Sequence, residues 1–336
     1  MSEKFLNKKP NLNNKTILVT GGTGSFGNHI VKKIIKNYKP KKIIIFSRDE
    51  LKQFDMANEL NAPKSYLRFF LGDVRDQDRV ESALQGVDIV FHAAALKHVE
   101  SSEYNPYECI KTNVIGTQNI IRAALKNNVD KVIFISTDKA TNPLNLYGAT
   151  KLAAEKLIIA ANNIRGKSRT ILSAVRYGNV IGSRGSLIPI LDKCLKNKTK
   201  SVPITDSKMT RFFITLDQGV NFVLSNLNYM QGGEIFIPKI PSVKIIDIAK
   251  VYAPNKKIKI IGIRPGEKLH EVLISEDESM NTVETNDRYI ILPRFYNINK
   301  KKIKIKRIKK RFLYSSDLES NLLNTKKLGI FIKNSI

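Results

Sequence analysis

Thr16-Ile-Leu-Val-Thr20 runs directly into Gly21-Gly22-Thr23-Gly24-Ser25-Phe26-Gly27. The short apolar run suits a buried strand, and the periodic stretch from His29 to Asn37 suits a helix. Strand, glycine loop and helix, spaced Gly-x-x-Gly-x-x-Gly, form a dinucleotide-binding fingerprint. Gly21 permits the tight turn, Gly24 lets backbone approach a pyrophosphate, and Gly27 lets the helix pack closely on the strand. Free amides at the helix N-terminus then face phosphates, with Thr23, Ser25 and Phe26 in the same loop. The fold expected is α/β: a Rossmann-type doubly wound parallel sheet with a smaller mixed α/β substrate lobe.

Working outward, a second strand, Lys42 to Phe46, ends at Ser47-Arg48-Asp49. A carboxylate at that strand end would hold the ribose diol of NAD. A hydroxyl and a guanidinium suit a 2′-phosphate instead, so NADP is the cofactor expected. Asp49 suits the cap of a helix from Glu50 to Leu60, and Glu50, Leu51 and Lys52 join the candidate cofactor contacts. A third strand, Tyr66 to Leu71, leads to Asp73 and Val74, placed to meet the adenine edge. A fourth, Val87 to Phe91, ends in small residues around Ala93, which leave room for a ribose, and Lys97 could reach a substrate. A long helix from about Tyr107 to Lys126 is apolar on more than one face, so it is buried or shared with another subunit.

Next comes Ser136-Thr137-Asp138-Lys139, followed at a distance by Tyr147-Gly-Ala-Thr-Lys151. The apolar run Val132 to Ile135 delivers Thr137, Asp138 and Lys139 to a strand's carboxyl end, where open α/β sheets bind ligands. Leu152 to Ala161 reads as helix, and a Tyr and a Lys four apart share one helix face. An ammonium close to the phenol stabilises phenolate and lowers the Tyr pKa, which would make Tyr147 a usable general base. Another strand, Arg169 to Tyr177, leaves the nucleotide sheet at Gly178-Asn179-Val180. Val180 is a cofactor candidate. Asn179, Arg184, Gly185, Ser186, Thr205 and Arg211 are substrate candidates.

The expected segments are a polar arm (1–14), a nucleotide-binding domain (15–180), a mainly substrate-binding lobe (181–295) and a basic tail (296–336). A strand near 234–238 could return to the nucleotide domain. Two cysteines, Cys109 and Cys194, and four histidines match no metal spacing, so no metal is expected. A net charge of +27 suits a polyanionic small substrate, and no nucleic-acid-binding signature accompanies it. The alternating Ile and Lys of 296–311 read as a solvated edge strand or linker. No run is long and apolar enough to span a membrane, and no apolar signal-peptide core opens the chain, so a cytoplasmic protein is expected.

The stretches Thr20 to Gly27, Ser47 to Lys52, Phe91 to His98, Ser136 to Lys139, Tyr147-x-x-x-Lys151, Arg176 to Asn179 and Gly262-Ile-Arg-Pro-Gly-Glu-Lys-Leu-His-Glu271 together resemble the extended short-chain dehydrogenase/reductase superfamily. More closely they resemble its inverting UDP-N-acetylglucosamine 4,6-dehydratases, from about residue 12 to 295, with Tyr314-Ser-Ser316 similar to the family's tail. The resemblance implies a lyase with recycled NADP, UDP-N-acetylglucosamine as substrate and a homo-oligomer, a hexamer. It also implies contacts from Arg264 to the nucleotide's phosphate and from Glu267 to its ribose. The implied product is UDP-2-acetamido-2,6-dideoxy-β-L-arabino-hexos-4-ulose, the first step of pseudaminic acid biosynthesis.

In that chemistry Tyr147 takes the proton of the 4-hydroxyl, Thr137 bonds near the 4-oxygen, and Lys151 lowers the Tyr147 pKa and holds the nicotinamide ribose, so Tyr147 and Lys151 also count as cofactor contacts. Asp138 is the acid for water loss. Lys139, its pKa lowered by burial beside other cations, abstracts the C5 proton and inverts C5. The alternatives are a 4-epimerase or reductase on a nucleotide sugar, a dehydratase/epimerase of capsule sugar synthesis, or a cofactor-sensing protein with a dead site. The last would be expected to lack the Tyr or the Lys.

Overall fold

The computed structural model describes residues 4–6, 8–60, 65–182, 187–197, 199–294, 305–308 and 310–333. Six parallel strands form its centre: β1 (Thr16–Thr20), β2 (Lys42–Ser47), β3 (Leu67–Leu71), β4 (Ile89–His92), β5 (Lys131–Ile135) and β6 (Ile171–Val175). Their spatial order is β3-β2-β1-β4-β5-β6, so the order reverses at β1 and opens a crevice beyond its carboxyl end. β1, β2 and β4 are almost wholly buried, as expected of a parallel sheet covered on both faces.

The sheet continues beyond β6. Strand Ile235–Pro238 pairs parallel with β6, and Arg288–Ile291, Thr282–Glu284 and Lys306–Arg307 add antiparallel to give ten strands. Lys306 and Arg307 are exposed on the outermost strand, where charge opposes edge-to-edge pairing. Residues 296–304 and 309 of the Ile/Lys run lie outside the described residues.

A second hydrophobic cluster gathers Leu191, Val202, Ile204, Phe213, Val243, Ile248 and Leu328. Around it lie small sheets: Asn179–Val180 with Thr210–Ile214 and Ser242–Lys244, and Ser201–Ile204 with Lys257–Ile260. The C-terminal stretch is built into both clusters, Tyr314 into the main core and Leu328 into the second. Tyr314–Ser315 pairs with Val272–Ile274, and helix Thr325–Lys333 buries Leu328. The N-terminal arm also differs from its polar reading: Phe5 and Leu12 are buried, and Phe5 packs edge-on against Phe222 with centroids 5.1 Å apart.

Two helix starts lie upstream of where apolar periodicity begins. Helix α1 (Ser25–Asn37) starts at the glycine loop with Gly24 as its N-cap. Helix Leu146–Ile164 starts at Asn145, whose side chain accepts a hydrogen bond from the Gly148 amide at 2.8 Å. The Asn145 cap sets the second boundary, so Tyr147 sits in a first turn held at its end. The expected helix from 107 to 126 is continuous but contains a π-helical turn, Lys111–Ile115, between Pro106–Ile110 and Gly116–Lys126.

Candidate active site

The glycine loop fits a dinucleotide phosphate. Gly21 has φ +63°, and a Cβ there would press on the Ala94 backbone at 3.0 Å. A side chain at Gly27 would collide with the Gly21 carbonyl. Gly24, the N-cap of α1, has no side chain with which to cap the helix, and a helix N-terminus suits an anion. Thr23 is buried in this loop, with Ser25 and Phe26 half-buried. Below it, the Thr20 hydroxyl bonds His92 Nδ1 at 2.7 Å and accepts from the Ala93 amide at 3.1 Å. Burial, then the charge of Lys151, pushes the His92 pKa down to about 3, so this imidazole is neutral.

At the end of β2 the Ser47 hydroxyl accepts from Gln53. Asp49 caps helix α2 (Glu50–Glu59) through the Lys52 amide and pairs with the Lys52 ammonium. Leu51 and Glu50 are solvent-exposed. Arg48 is half-exposed and lies 3.5 Å from Asp73. Asp73 is held mainly by Arg75, whose backbone and side chain both donate to it. Val74 is buried beneath Gly116.

The turn after β5 carries the densest chemistry. Thr137 Oγ1 donates to Asp138 Oδ1 at 2.9 Å. Lys139 Nζ lies 3.1 Å from Asp138 Oδ1 and 3.1 Å from Glu271 Oε1. Asp138 is 1% exposed and Glu271 2%, and each has one oxygen, Oδ2 and Oε2, without a hydrogen-bond partner. Arg211 Nε approaches Glu271 at 3.8 Å. The turn packs hard on the Leu146–Ile164 helix: a Cβ at Gly148 would collide with the Lys139 carbonyl. Tyr147 is buried in the first turn of that helix and hydrogen-bonds Thr137.

Two electrostatic expectations are corrected here. Burial pushes the Tyr147 pKa up to about 12, and the cation that pulls it down is Lys139. Lys151 instead donates to the Ile135 carbonyl at 2.6 Å and lies 3.9 Å from the Phe134 ring centroid. Burial lowers its pKa to about 7. Lys139 is not lowered: burial acts that way, but Asp138 and Glu271 outweigh it and hold the ammonium charged. Its nearest neighbours are carboxylates rather than cations, which the residue order alone did not reveal. Burial raises Asp138, helped by Glu271 and opposed by Lys139. Burial also acts to raise Glu271, but Lys139 and then Arg211 outweigh it and leave that pKa lowered.

The remaining candidates are spread around this cluster. Asn179 Oδ1 is buried without a partner, and Val180 pairs with Ile214. Arg211 is buried and donates to the Thr210, Leu269 and Lys268 carbonyls. The Thr205 hydroxyl lies 3.0 Å from Met209 Sδ. Arg264 is exposed and 3.9 Å from Glu267, whose Oε2 is buried and unpartnered. The Asn145 amide donates to the Gly266 carbonyl at 2.8 Å, which ties that loop to the start of the Tyr147 helix. Lys97 is exposed. Arg184, Gly185 and Ser186 lie outside the described residues.

Three residues went unassigned in the sequence reading. Glu271 closes the stretch Gly262 to Glu271 but has no local signal. Asn113 sits on the π-turn, donates to the Leu96 carbonyl and Thr150, and accepts from the Leu96 amide at 2.8 Å. Arg176 is fully buried and binds Glu155 and Glu278. A buried amide inside an apolar helix was the one readable hint, at Asn113.

Comparison with known proteins agrees with this geometry. The family described as "Polysaccharide biosynthesis protein" matches residues 17–293. The chain is 56% identical to the "UDP-N-acetylglucosamine 4,6-dehydratase (inverting)" of Campylobacter jejuni, over 91% of this chain and 93% of that one. It is 44% identical to the "UDP-glucose 4-epimerase" of Rickettsia canadensis, over 82% of each. The crystal structure of Pen from Bacillus thuringiensis superposes with a TM-score of 0.89 at 39% identity, covering 96% of this chain and 98% of that one. No helix among the described residues is long and apolar enough to cross a membrane.

Proposed function

We propose a function from one premise: the chain belongs to the polysaccharide biosynthesis protein family and, within it, to the inverting UDP-N-acetylglucosamine 4,6-dehydratases. It removes water from UDP-N-acetylglucosamine, inverts C5 and yields UDP-2-acetamido-2,6-dideoxy-β-L-arabino-hexos-4-ulose, the opening step of pseudaminic acid biosynthesis. The observation that carries this reading is the pairing of buried Asp138 with half-buried Lys139 beside Tyr147 at the end of β5.

When bound, a nicotinamide supplies reversible hydride transfer between it and the sugar. Tyr147 takes the proton of the 4-hydroxyl, and Thr137 orients the 4-oxygen. The 4-ketone acidifies the C5 hydrogen; Lys139 removes it and later returns a proton to the opposite face of C5, which inverts that carbon. Asp138, its pKa raised mainly by burial, protonates the departing 6-hydroxyl as a general acid. Over one turnover Tyr147 gains a proton and Asp138 loses one. Thr137 bonds both groups and so offers the route that restores them.

The cofactor is NADP, supported by Arg48, half-exposed and only loosely paired at 3.5 Å, where it can meet a 2′-phosphate. Arg48→Ala weakens NADP binding about tenfold or more and leaves NAD binding nearly unchanged; calorimetric titration with both cofactors that gave equal losses would remove this argument. Arg264 and Glu267 hold the nucleotide, Lys97 and Asn179 face the sugar side, and the enzyme is a cytoplasmic homo-oligomer. Exposed Tyr104, Tyr107 and Ile115 on neighbouring helices support assembly.

The second reading is a 4-epimerase, favoured by the Rickettsia relative. Epimerisation at C4 needs no acid–base group at C5, so the Asp138–Lys139–Glu271 cluster argues for dehydration. Incubation with UDP-N-acetylglucosamine in heavy water, read by mass and NMR, decides. Dehydration gives loss of one water, deuterium at C5 and inverted C5. A product of unchanged formula with the 6-hydroxyl retained would replace the proposal by the epimerase.

A further inference from the structure

Resting on that reading, the geometry assigns a role to Glu271. We propose that Glu271 is a positioning residue of the dehydration, acting through Lys139: it holds the ammonium in place and receives the proton that Lys139 sheds before taking one from C5. Lys139 Nζ lies midway, 3.1 Å from Asp138 Oδ1 and 3.1 Å from Glu271 Oε1. Both carboxylates are buried and both keep an oxygen without a partner. A buried, unpaired carboxylate oxygen is costly in a site with only a structural task.

Glu271 is fixed from outside the cluster. Its amide donates to Ser316 Oγ at 2.9 Å, and its carbonyl accepts from the Ser316 amide at 2.8 Å. The charged groups facing it are Lys139 and Asp138 from the β5 turn, Arg211 from the Thr210–Ile214 strand, and Lys268 from its own loop.

Two carboxyl groups share one ammonium, and their environments drive them apart. Against burial, Lys139 and Arg211 lower the Glu271 pKa, while burial raises Asp138, and Lys139 Nζ stands within reach of both. Such divergence assigns acid and base arms. In the base arm, a Lys139 N–H bond breaks with its electron pair left on nitrogen, and a Glu271 O–H bond forms. The nitrogen then takes the C5 proton. The C5–H electron pair becomes the C5–C6 double bond, the C6–O bond breaks, and the oxygen leaves as water with the Asp138 proton. No proton is exchanged with solvent before C5 is attacked.

The test uses the holoenzyme and reads two half-reactions: cofactor reduction by absorbance, and deuterium entry at C5. In the wild type, C5 exchange stays flat through neutral pH, because the proton moves within the Lys139–Glu271 pair. Glu271→Gln slows C5 exchange and water loss about a hundredfold or more, while cofactor reduction changes by less than about threefold. Its remaining exchange rises about tenfold per pH unit, since Lys139 then discharges to solvent. A wild-type exchange rate that itself rises tenfold per unit overturns the proposal, even if the variant does not fold. So does a variant with a flat profile, or one in which both half-reactions fall equally. A wild type that never reduces its cofactor with UDP-N-acetylglucosamine defeats the functional reading instead.

Discussion

Two clusters in this molecule have the same arrangement of charge and opposite character. In each, one cation, Arg176 fully buried and Lys139 half-buried, stands between two carboxylates. Arg176, fully buried, donates to both oxygens of Glu155 and both of Glu278, and also to Thr141 and the Leu273 carbonyl, over 2.6–3.0 Å. Lys139 has single contacts to Asp138 and Glu271, and each of those acids keeps an oxygen unpaired. The first network is satisfied and joins the Leu146–Ile164 helix to β6 and to strand Val272–Ile274. The second is left short in the same neighbourhood, since Thr141 follows the Lys139 turn by two residues and accepts a bond from Arg176. A rigid guanidinium fork fills its acceptors, whereas a lysine, a point charge that exchanges protons, leaves them open. The incompleteness therefore marks where protons move.

Substitution of the two cations separates these characters. Lys139→Met lowers dehydration about a thousandfold and costs less stability, because Lys139 is only half-buried and Glu271 retains Arg211 and Lys268 nearby. Arg176→Met strands the fully buried Glu155 and the half-buried Glu278 and costs about 3 kcal/mol or more of stability, with activity per folded molecule much less affected. Denaturant unfolding beside turnover measures both. Equal stability losses in the two variants would erase the distinction between the clusters.

The difference in legibility between the clusters is physical. Thr137, Asp138, Lys139, Tyr147 and Lys151 lie within one turn and the helix that follows, so strand, cap and helix spacing could place them from local pattern. The sheet order around β1 was foreshadowed by the glycine loop, because only glycine tolerates the φ of Gly21 and the contact at Gly27. The partners that set the charges are distant in sequence: Arg176 meets Glu278 across 102 residues. Lys139 meets Glu271 only because strand Val272–Ile274 comes to the β5 side. Without Glu271 in view, Lys139 was read beside cations and given a shift of the wrong sign. Likewise, spacing put Lys151 next to Tyr147, but the Ile135 carbonyl claims its ammonium. Phe5 and Leu12 were concealed by the lysines and asparagines around them.

The smallest effect sharpens the comparison through pH. In the satisfied cluster, burial acts to raise Glu278, but the charge and hydrogen bonds of Arg176 outweigh it and leave the pKa lowered. Its stabilisation is therefore present above the ordinary glutamate pKa and lost as pH falls through the folded value. Asp138 has the opposite sign. Burial, with Glu271, raises it, so its contribution is full below the ordinary aspartate pKa and lost as pH rises through the folded value. The Glu278 slope lies below the ordinary glutamate value and the Asp138 slope above the ordinary aspartate value, so these two acids tilt the stability curve in opposite directions. Each contributes up to about 1.4 kcal/mol per unit of pKa difference. Denaturation midpoints measured against pH follow: Glu278→Gln flattens the loss toward acid, and Asp138→Asn flattens the loss toward neutrality. The Asp138 variant serves here for stability alone. Were both substitutions to flatten the same limb, the two acids would sit in equivalent environments. The unpaired oxygens around Lys139 would then carry no chemical meaning.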